Sequence, residues 1–172
     1  SENWSLSSGI ATIDNETLHN GHKTVKIQKI GVTTSTWGGI RQDNVIINPK
    51  QGEMYTLSYW YLVKDKTTLN DIFALELKGR TTGGTDTGLG YTSISPTTVV
   101  EGEWIKVSFV LTINRTDLAS IFLYGWARQS GVIWFSEIKA EKGNKATDFT
   151  EAPEDVEKRI ESNTTQITAQ QG

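Results

Sequence analysis

The stretch Trp104-Ile-Lys-Val-Ser-Phe-Val-Leu-Thr-Ile113 decides the fold class of this chain. From Ile105 onward every odd-numbered position is apolar, and Lys106, Ser108 and Thr112 alternate with them. Successive side chains of a β-strand point to opposite faces, so the pattern predicts a strand with one core face and one wetter face.

Six further segments show the same strand character, at 24–30, 40–47, 55–63, 72–78, 121–128 and 132–140. Turn-forming pairs such as Asn20-Gly21 and Asn48-Pro49 separate them, and no helical pattern intervenes. We therefore predict an all-β fold over residues 1–150, a jelly-roll sandwich of two antiparallel sheets. The polar, Gly-rich segment 81–95 is predicted to be a long loop or an edge hairpin.

The pattern changes in residues 151–172, which we treat as a separate linker and C-terminal segment. Beyond Pro153 this segment is polar and has coiled-coil a/d spacing at Val156, Ile160, Asn163, Ile167 and Gln170. About two heptads do not form a stable helix alone. Two interpretations stay open: a frayed tail, or a short helix that starts a longer coiled coil and makes the protein a homo-oligomer.

Composition excludes several classes of protein. The 172 residues carry a formal net charge of −3 and no Cys, which rules out disulfides, zinc–thiolate sites and cysteine nucleophiles. The sequence has no stripe of basic residues of the kind that binds nucleic acid, and no apolar run approaches the roughly 20 residues of a membrane span. The polar start, which lacks an initiator Met, leads us to expect a fragment of a longer protein without a signal peptide.

Signatures of catalysis are also missing from the sequence. It contains no nucleophile elbow, phosphate-binding Gly loop or HExxH motif, and no pair of carboxylates stands out in an apolar setting. His19 and His22 flank a turn, where imidazoles are usually solvated. We predict that the chain is not an enzyme.

The aromatic residues suggest a binding surface instead. Alternation places Trp60, Trp126 and Trp134 opposite the aliphatic core side of their strands, with Tyr124 and Arg128 on the same side as Trp126. The apolar face of a pyranose stacks on indole rings, and its hydroxyls need polar partners. The alternative is that these rings pack under a loop or against a neighbouring subunit.

Five segments resemble carbohydrate-binding-module-like domains of the family 4/9 type, which occur in tail proteins of phages of Gram-positive bacteria. They are Asn3-Trp-Ser-Leu6, Trp37-Gly-Gly-Ile-Arg-Gln42, Gly52-Glu-Met-Tyr-Thr-Leu-Ser58, Gly102-Glu-Trp104 and Glu141-Lys-Gly-Asn-Lys-Ala-Thr-Asp148. The last segment continues to Asp155 and is the most specific, although Phe149 stands where Trp is usual.

The resemblance implies a jelly roll that binds a saccharide, and it adds Trp37, Arg41 and Gln42 to the candidate site. Relatives of this type also hold a structural calcium ion near an Asp-Asp pair. Here Ser136-Glu137 stands at that place, so a retained calcium would be held by Glu137 and carbonyls near Asp14.

The leading hypothesis is a non-catalytic saccharide-binding domain of a phage tail or baseplate protein. It would attach the virion to bacterial cell-wall or surface polysaccharide, and its partners would include other tail subunits. The expected assembly is a homo-oligomer, with a trimer suggested by the habit of tail fibres. The rival hypothesis is a structural spacer of a tail fibre whose Trp residues pack against neighbouring chains.

Overall fold

The computed structural model describes residues 4–150, which form ten β-strands and one 3₁₀ turn. The turn, Lys66–Thr68, is capped by the Asp65 carboxylate, which accepts a hydrogen bond from the Thr67 amide. The strands are β1 (Ser5–Leu6), β2 (Ala11–His19), β3 (His22–Lys29), β4 (Gly39–Ile47), β5 (Met54–Leu62), β6 (Phe73–Thr81), β7 (Asp86–Tyr91), β8 (Ile105–Thr112), β9 (Leu118–Ala127) and β10 (Gly131–Lys142).

The strands form two antiparallel sheets of five. The sheet with strand order β1-β4-β9-β6-β7 is called the front sheet, and the sheet with order β2-β3-β10-β5-β8 the back sheet. The prediction of an all-β sandwich of two antiparallel sheets is confirmed, and its arrangement fits a jelly roll. No α-helix occurs within residues 4–150, so this part of the chain has no helix that could cross a membrane.

The stretch 104–113 forms β8, an edge strand of the back sheet that pairs with β5 from Ile105 to Thr112. Its residues Ile105, Val107, Phe109 and Leu111 pack against the core, as the alternation predicts. Ile121 and Leu123 of β9 in the front sheet belong to the same core. The core therefore lies between the sheets, and each sheet turns its other face outward.

Three strands of the fold are absent from the predicted strand list: β1, β2 and β7. Of the two options left open for segment 81–95, the edge hairpin is correct, because β7 pairs with β6 from Asp86 to Tyr91. Strand β2 was not predicted, since it is an edge strand whose burial pattern follows no strict alternation and Ile13 and Leu18 stay exposed. The predicted C-terminal helix at 151–172 lies outside the described residues.

Gly125 lies on the inner face of β9, where Ile40 and Leu75 pack so closely that no side chain fits. A Cβ atom there would lie 2.5 Å from Ile40 Cγ1 and closer still to Leu75 Cδ2. We expect Gly125→Ala to lower the free energy of unfolding by about 1–3 kcal/mol, through overpacking. Urea unfolding measures it, with Gly83→Ala as control, because the nearest atom to a Cβ at Gly83 is 3.8 Å away. Equal stabilities of the two variants would contradict the prediction.

Candidate functional site

The outer face of the front sheet carries a row of polar and aromatic side chains. The strand register places Arg41 of β4 and Glu76 of β6 on either side of Tyr124 of β9, and Tyr91 of β7 beside Glu76. Residues directly opposite in a pleated sheet share a face, so all four side chains leave the sheet on the same side. This face, called the front face below, is the candidate site.

Trp126 lies next to this row and is the structural centre of the front face. Its side chain is 1% exposed, although it points away from the core between the sheets. Trp37 packs against it with ring centroids 5.1 Å apart and planes at 80°, and Tyr91 does so at 5.3 Å and 81°. The expectation that Trp126 is open for stacking is wrong, because these two rings pack against it at the surface.

The rings available to a ligand are therefore Trp37 and Tyr91, which are 57% and 48% exposed. Edge-to-face packing on a buried indole fixes both rings and leaves part of each accessible to solvent. Trp37 belongs to the predicted set, whereas Tyr91 was missed.

Glu76 is a carboxylate held in a desolvated position on the front face. It is 9% exposed, and its Oε1 accepts a hydrogen bond of 2.9 Å from Trp126 Nε1. Burial raises the pKa of Glu76 above its usual value, and the hydrogen bond from Trp126 and the charge of Lys78 partly oppose this rise. The Trp126 indole and the Glu76 carboxylate thus satisfy each other under the exposed rings.

A groove of about 400 Å³ lies beside Trp37 on this face. The Arg41 guanidinium lies 3.8 Å from the centroid of the Phe122 ring, and its NH1 is 3.5 Å from Asp86 Oδ2. Lys78 Nζ is 5.4 Å from the centroid of the Tyr124 ring. The groove thus combines aromatic walls with both signs of charge, and its lining residues are Trp37, Arg41, Glu76, Lys78, Asp86, Phe122 and Tyr124.

Arg128 follows β9 and is bound to a carboxylate. Its Nε and NH2 donate to the two oxygens of Asp71 at 2.7 and 2.8 Å, a bidentate pair. The hydrogen bonds from Arg128 hold the pKa of Asp71 below its usual value. The Thr36 amide donates to Arg128 O at 2.9 Å, so the Arg128 backbone lies beside the residue that precedes Trp37.

The other predicted residues lie elsewhere. Trp60 of β5 and Trp134 of β10 belong to the back sheet, so they face away from the front face. Gln42 pairs with Leu123, a core residue, and therefore leaves β4 on the inner side, opposite to Arg41. The structure brings together Trp37, Arg41, Tyr124 and Trp126, with the Arg128 backbone beside Thr36. It separates them from Trp60, Trp134 and Gln42.

Trp134 is also not open to solvent, contrary to expectation. It is 6% exposed, and its Nε1 donates a hydrogen bond of 2.7 Å to Asp14 Oδ2. The ammonium groups of Lys26 and Lys64 lie 5.0 and 4.5 Å from the ring centroid. These neighbours leave no free face for a sugar, whereas Trp60 is half-buried and contacts His19 at 4.8 Å.

The surroundings of Glu137 do not fit the expected calcium ion. Glu137 Oε1 accepts a hydrogen bond of 3.0 Å from Asn20 Nδ2 and lies 3.1 Å from His19 Nδ1 and 4.0 Å from His22 Nε2. Calcium prefers six to eight oxygen ligands, and nitrogen groups surround this oxygen. In the described part of the chain no cluster of three or more His, Asp or Glu residues has the geometry of a metal site.

Four front-face residues besides Tyr91 were not predicted as site residues: Glu76, Lys78, Asp86 and Phe122. Glu76 and Lys78 alternate with apolar residues in β6, so the alternation itself carried a signal for their outward direction. Asp86 and Tyr91 lie in the Gly-rich segment 81–95, whose sequence carries no signal that it returns to this face.

The raised pKa of Glu76 gives a pH test of this arrangement. In the unfolded chain Glu76 titrates near its usual value of 4.5. Between the folded-state pKa and 4.5 the folded protein binds more protons, so the contribution of Glu76 to stability rises as the pH falls through this window. Glu76→Gln keeps an acceptor for Trp126 and removes the titration.

We therefore expect wild type to gain stability relative to Glu76→Gln as the pH falls from about 7 toward about 4.5. Urea unfolding of both proteins over this range measures the difference. A constant difference across the range would contradict the raised pKa.

Several solved structures resemble the chain in fold. The C-terminal family 22 carbohydrate-binding module of Clostridium thermocellum Xyn10B is 14% identical with a TM-score of 0.59, over 84% of this chain and 89% of that chain. The CBM22-1 xylan-binding domain of Paenibacillus barcinonensis Xyn10C is 14% identical with a TM-score of 0.56, over 84% and 88%. At these identities the likeness shows the fold alone.

A larger C. thermocellum structure contains such a module joined to a catalytic GH10 module and complexed with xylohexaose; it is 15% identical with a TM-score of 0.58, over 87% of this chain and 28% of that chain. No curated protein matches the chain closely enough to show a relationship. The model of the carbohydrate-binding domain family CBM 4/9, in contrast, matches residues 2–130, which is most of the chain. The chain belongs to this family of carbohydrate-binding domains.

Proposed function

We propose that this domain binds a polysaccharide without cleaving it, and that the front face is the binding surface. The observation that carries the proposal is the pair of exposed rings, Trp37 and Tyr91, packed on the buried Trp126 beside a charged groove. The family membership supports it independently.

The chemistry of the front face suits a sugar chain. A pyranose presents an apolar C–H face that packs on Trp37 or Tyr91, and its hydroxyls donate to carboxylates and accept from ammonium groups. Glu76 offers its carboxylate and Lys78 its ammonium within the same groove. Because the rings are fixed before binding, little side-chain entropy is lost when a sugar stacks on them.

Binding without cleavage is favoured by the state of the two groove carboxylates. Glu76 accepts the Trp126 indole N–H, and Asp86 forms ion pairs with Arg80 at 2.8 Å and Arg41 at 3.5 Å. A glycosidase needs one carboxyl group free to protonate the leaving group and another free to act as nucleophile or base. Asp86 is held by two guanidinium groups and Trp126 uses one oxygen of Glu76, so the groove does not present two free carboxyl groups.

We further propose the biological setting of a phage tail or baseplate protein at the host surface. The closing segment 141–155, with its resemblance to tail proteins, supports this setting. A single shallow site binds weakly, and several copies on one particle raise the avidity without new contacts. An oligomer, trimeric by analogy with tail fibres, would supply these copies and bind bacterial cell-wall or surface polysaccharide.

The second candidate is a structural spacer of a fibre. The observation that favours it is that the same exposed rings, Trp37 and Tyr91, with Ile47 at 59% exposure, offer apolar surface to a neighbouring chain. In a spacer these rings become buried on assembly, and no sugar competes with the contact.

Calorimetry with xylohexaose and with purified Gram-positive cell-wall polysaccharide tests the saccharide proposal. We expect Trp37→Ala and Tyr91→Ala each to weaken binding roughly tenfold, equivalent to about 1.4 kcal/mol, through the lost stacking surface. Trp60→Ala is the matched control, because it removes a half-buried Trp from the opposite face. We expect no release of reducing ends from either ligand.

The proposal is wrong if a folded wild-type protein binds neither ligand nor any member of a wider glycan panel. Binding that Trp60→Ala abolishes and Trp37→Ala leaves unchanged would move the site to the back sheet. Loss of Trp37 exposure to acrylamide on oligomerisation, without sugar binding, would favour the spacer.

A further inference from the structure

Lys29 is a buried cation on the side of its strand that faces the core. It is the last residue of β3, lies on the same side of the strand as the core residues Val25 and Ile27, and is 4% exposed. It forms no ion pair with any carboxylate among residues 4–150, and burial lowers the pKa of its ammonium group. A buried charge costs free energy unless hydrogen bonds compensate, so its acceptors indicate its role.

The acceptors are two backbone carbonyls that belong to different parts of the candidate site. Lys29 Nζ donates to Ala127 O at 2.6 Å and to Thr36 O at 3.1 Å. Ala127 directly follows Trp126, and Thr36 directly precedes Trp37. One ammonium group therefore joins the backbone beside the buried ring to the backbone beside the exposed ring.

Other hydrogen bonds confirm that the chain around Trp37 is held at defined points. The Thr36 amide donates to Arg128 O at 2.9 Å, which adds a second tie to the end of β9. On the other side of Trp37, the Gly39 amide donates to Ser7 Oγ at 2.8 Å. Nearer its start the loop is held at Val32, whose amide donates to Ser130 Oγ at 2.7 Å and whose carbonyl accepts from Asn70 Nδ2 at 3.0 Å, so the Lys29 hydrogen bond acts on the end of the loop that carries Trp37.

We infer that Lys29 is a positioning residue for Trp37, which holds the 30–38 loop so that the Trp37 ring packs on Trp126. The inference rests on the proposed function, because it assigns Lys29 an effect on saccharide affinity without any contact to the sugar. Lys29 reaches the site from the back sheet, so it links the geometry of the front face to the opposite sheet.

The test uses Lys29→Met, which keeps an unbranched side chain one atom shorter than Lys and removes its donors. We expect amide hydrogen exchange at Thr36 to become about tenfold faster, since the loop loses a charge-assisted tie, and saccharide binding to weaken by a similar factor. Amides in the middle of β9 should exchange as in wild type. Lys26→Met is the matched control, because Lys26 lies on the same strand and contacts Trp134 on the other face.

Should Lys29→Met fail to fold, Lys29→Gln retains one donor group and is expected to fall between wild type and full loss of the tie. Unchanged exchange at Thr36 together with wild-type affinity would overturn the inference. Faster amide exchange that spreads equally over β9 would also overturn the inference, because it would show that Lys29 stabilises the whole fold and not the loop in particular. A wild-type protein that binds no saccharide contradicts the proposed function, and the exchange at Thr36 still decides the role of Lys29.

Discussion

The packing of the Trp126 indole is the interaction on which the front face depends. Its Nε1 is paired with the Glu76 carboxylate, and the rings of Trp37 and Tyr91 stand against it nearly at right angles. A buried indole needs a partner for its N–H, and a buried carboxylate needs a donor. The Trp126 N–H and the Glu76 carboxylate are hydrogen-bond partners, and the Trp37 and Tyr91 rings pack on the indole that this bond holds.

The aromatic residues of the front face have different roles at different depths. Trp126 is fully covered and acts as a support, whereas Trp37 and Tyr91 present the surface. The supports come from regular strands, where the register places neighbouring residues opposite one another, and Trp37 comes from the loop before β4. A rigid support under a contact residue that comes from a loop, such as Trp37, is a common way to build a binding surface.

The back sheet uses similar residue types for a different purpose. Trp134 is paired with Asp14 and flanked by Lys26 and Lys64, and Glu137 is surrounded by His19, Asn20 and His22. These contacts tie the β2–β3 hairpin to β10 and leave no exposed ring at Trp134. Exposed rings, a groove and charged groups occur together on the outer face of the front sheet.

The sequence by itself determined the fold class, because alternation with a period of two is a local property that 104–113 and 121–128 display directly. It also determined which residues of each strand point away from the core, including Tyr124 and Trp126. It did not determine which outward faces coincide: Trp60 and Trp126 have the same local pattern and lie on opposite sides of the molecule. Contacts between segments far apart in sequence set the sheet to which each strand belongs. They also bury Trp126 under Trp37 and Tyr91, and they bring Tyr91 back to this face from a Gly-rich hairpin. Such contacts are a property of the tertiary structure and leave no local pattern in the sequence.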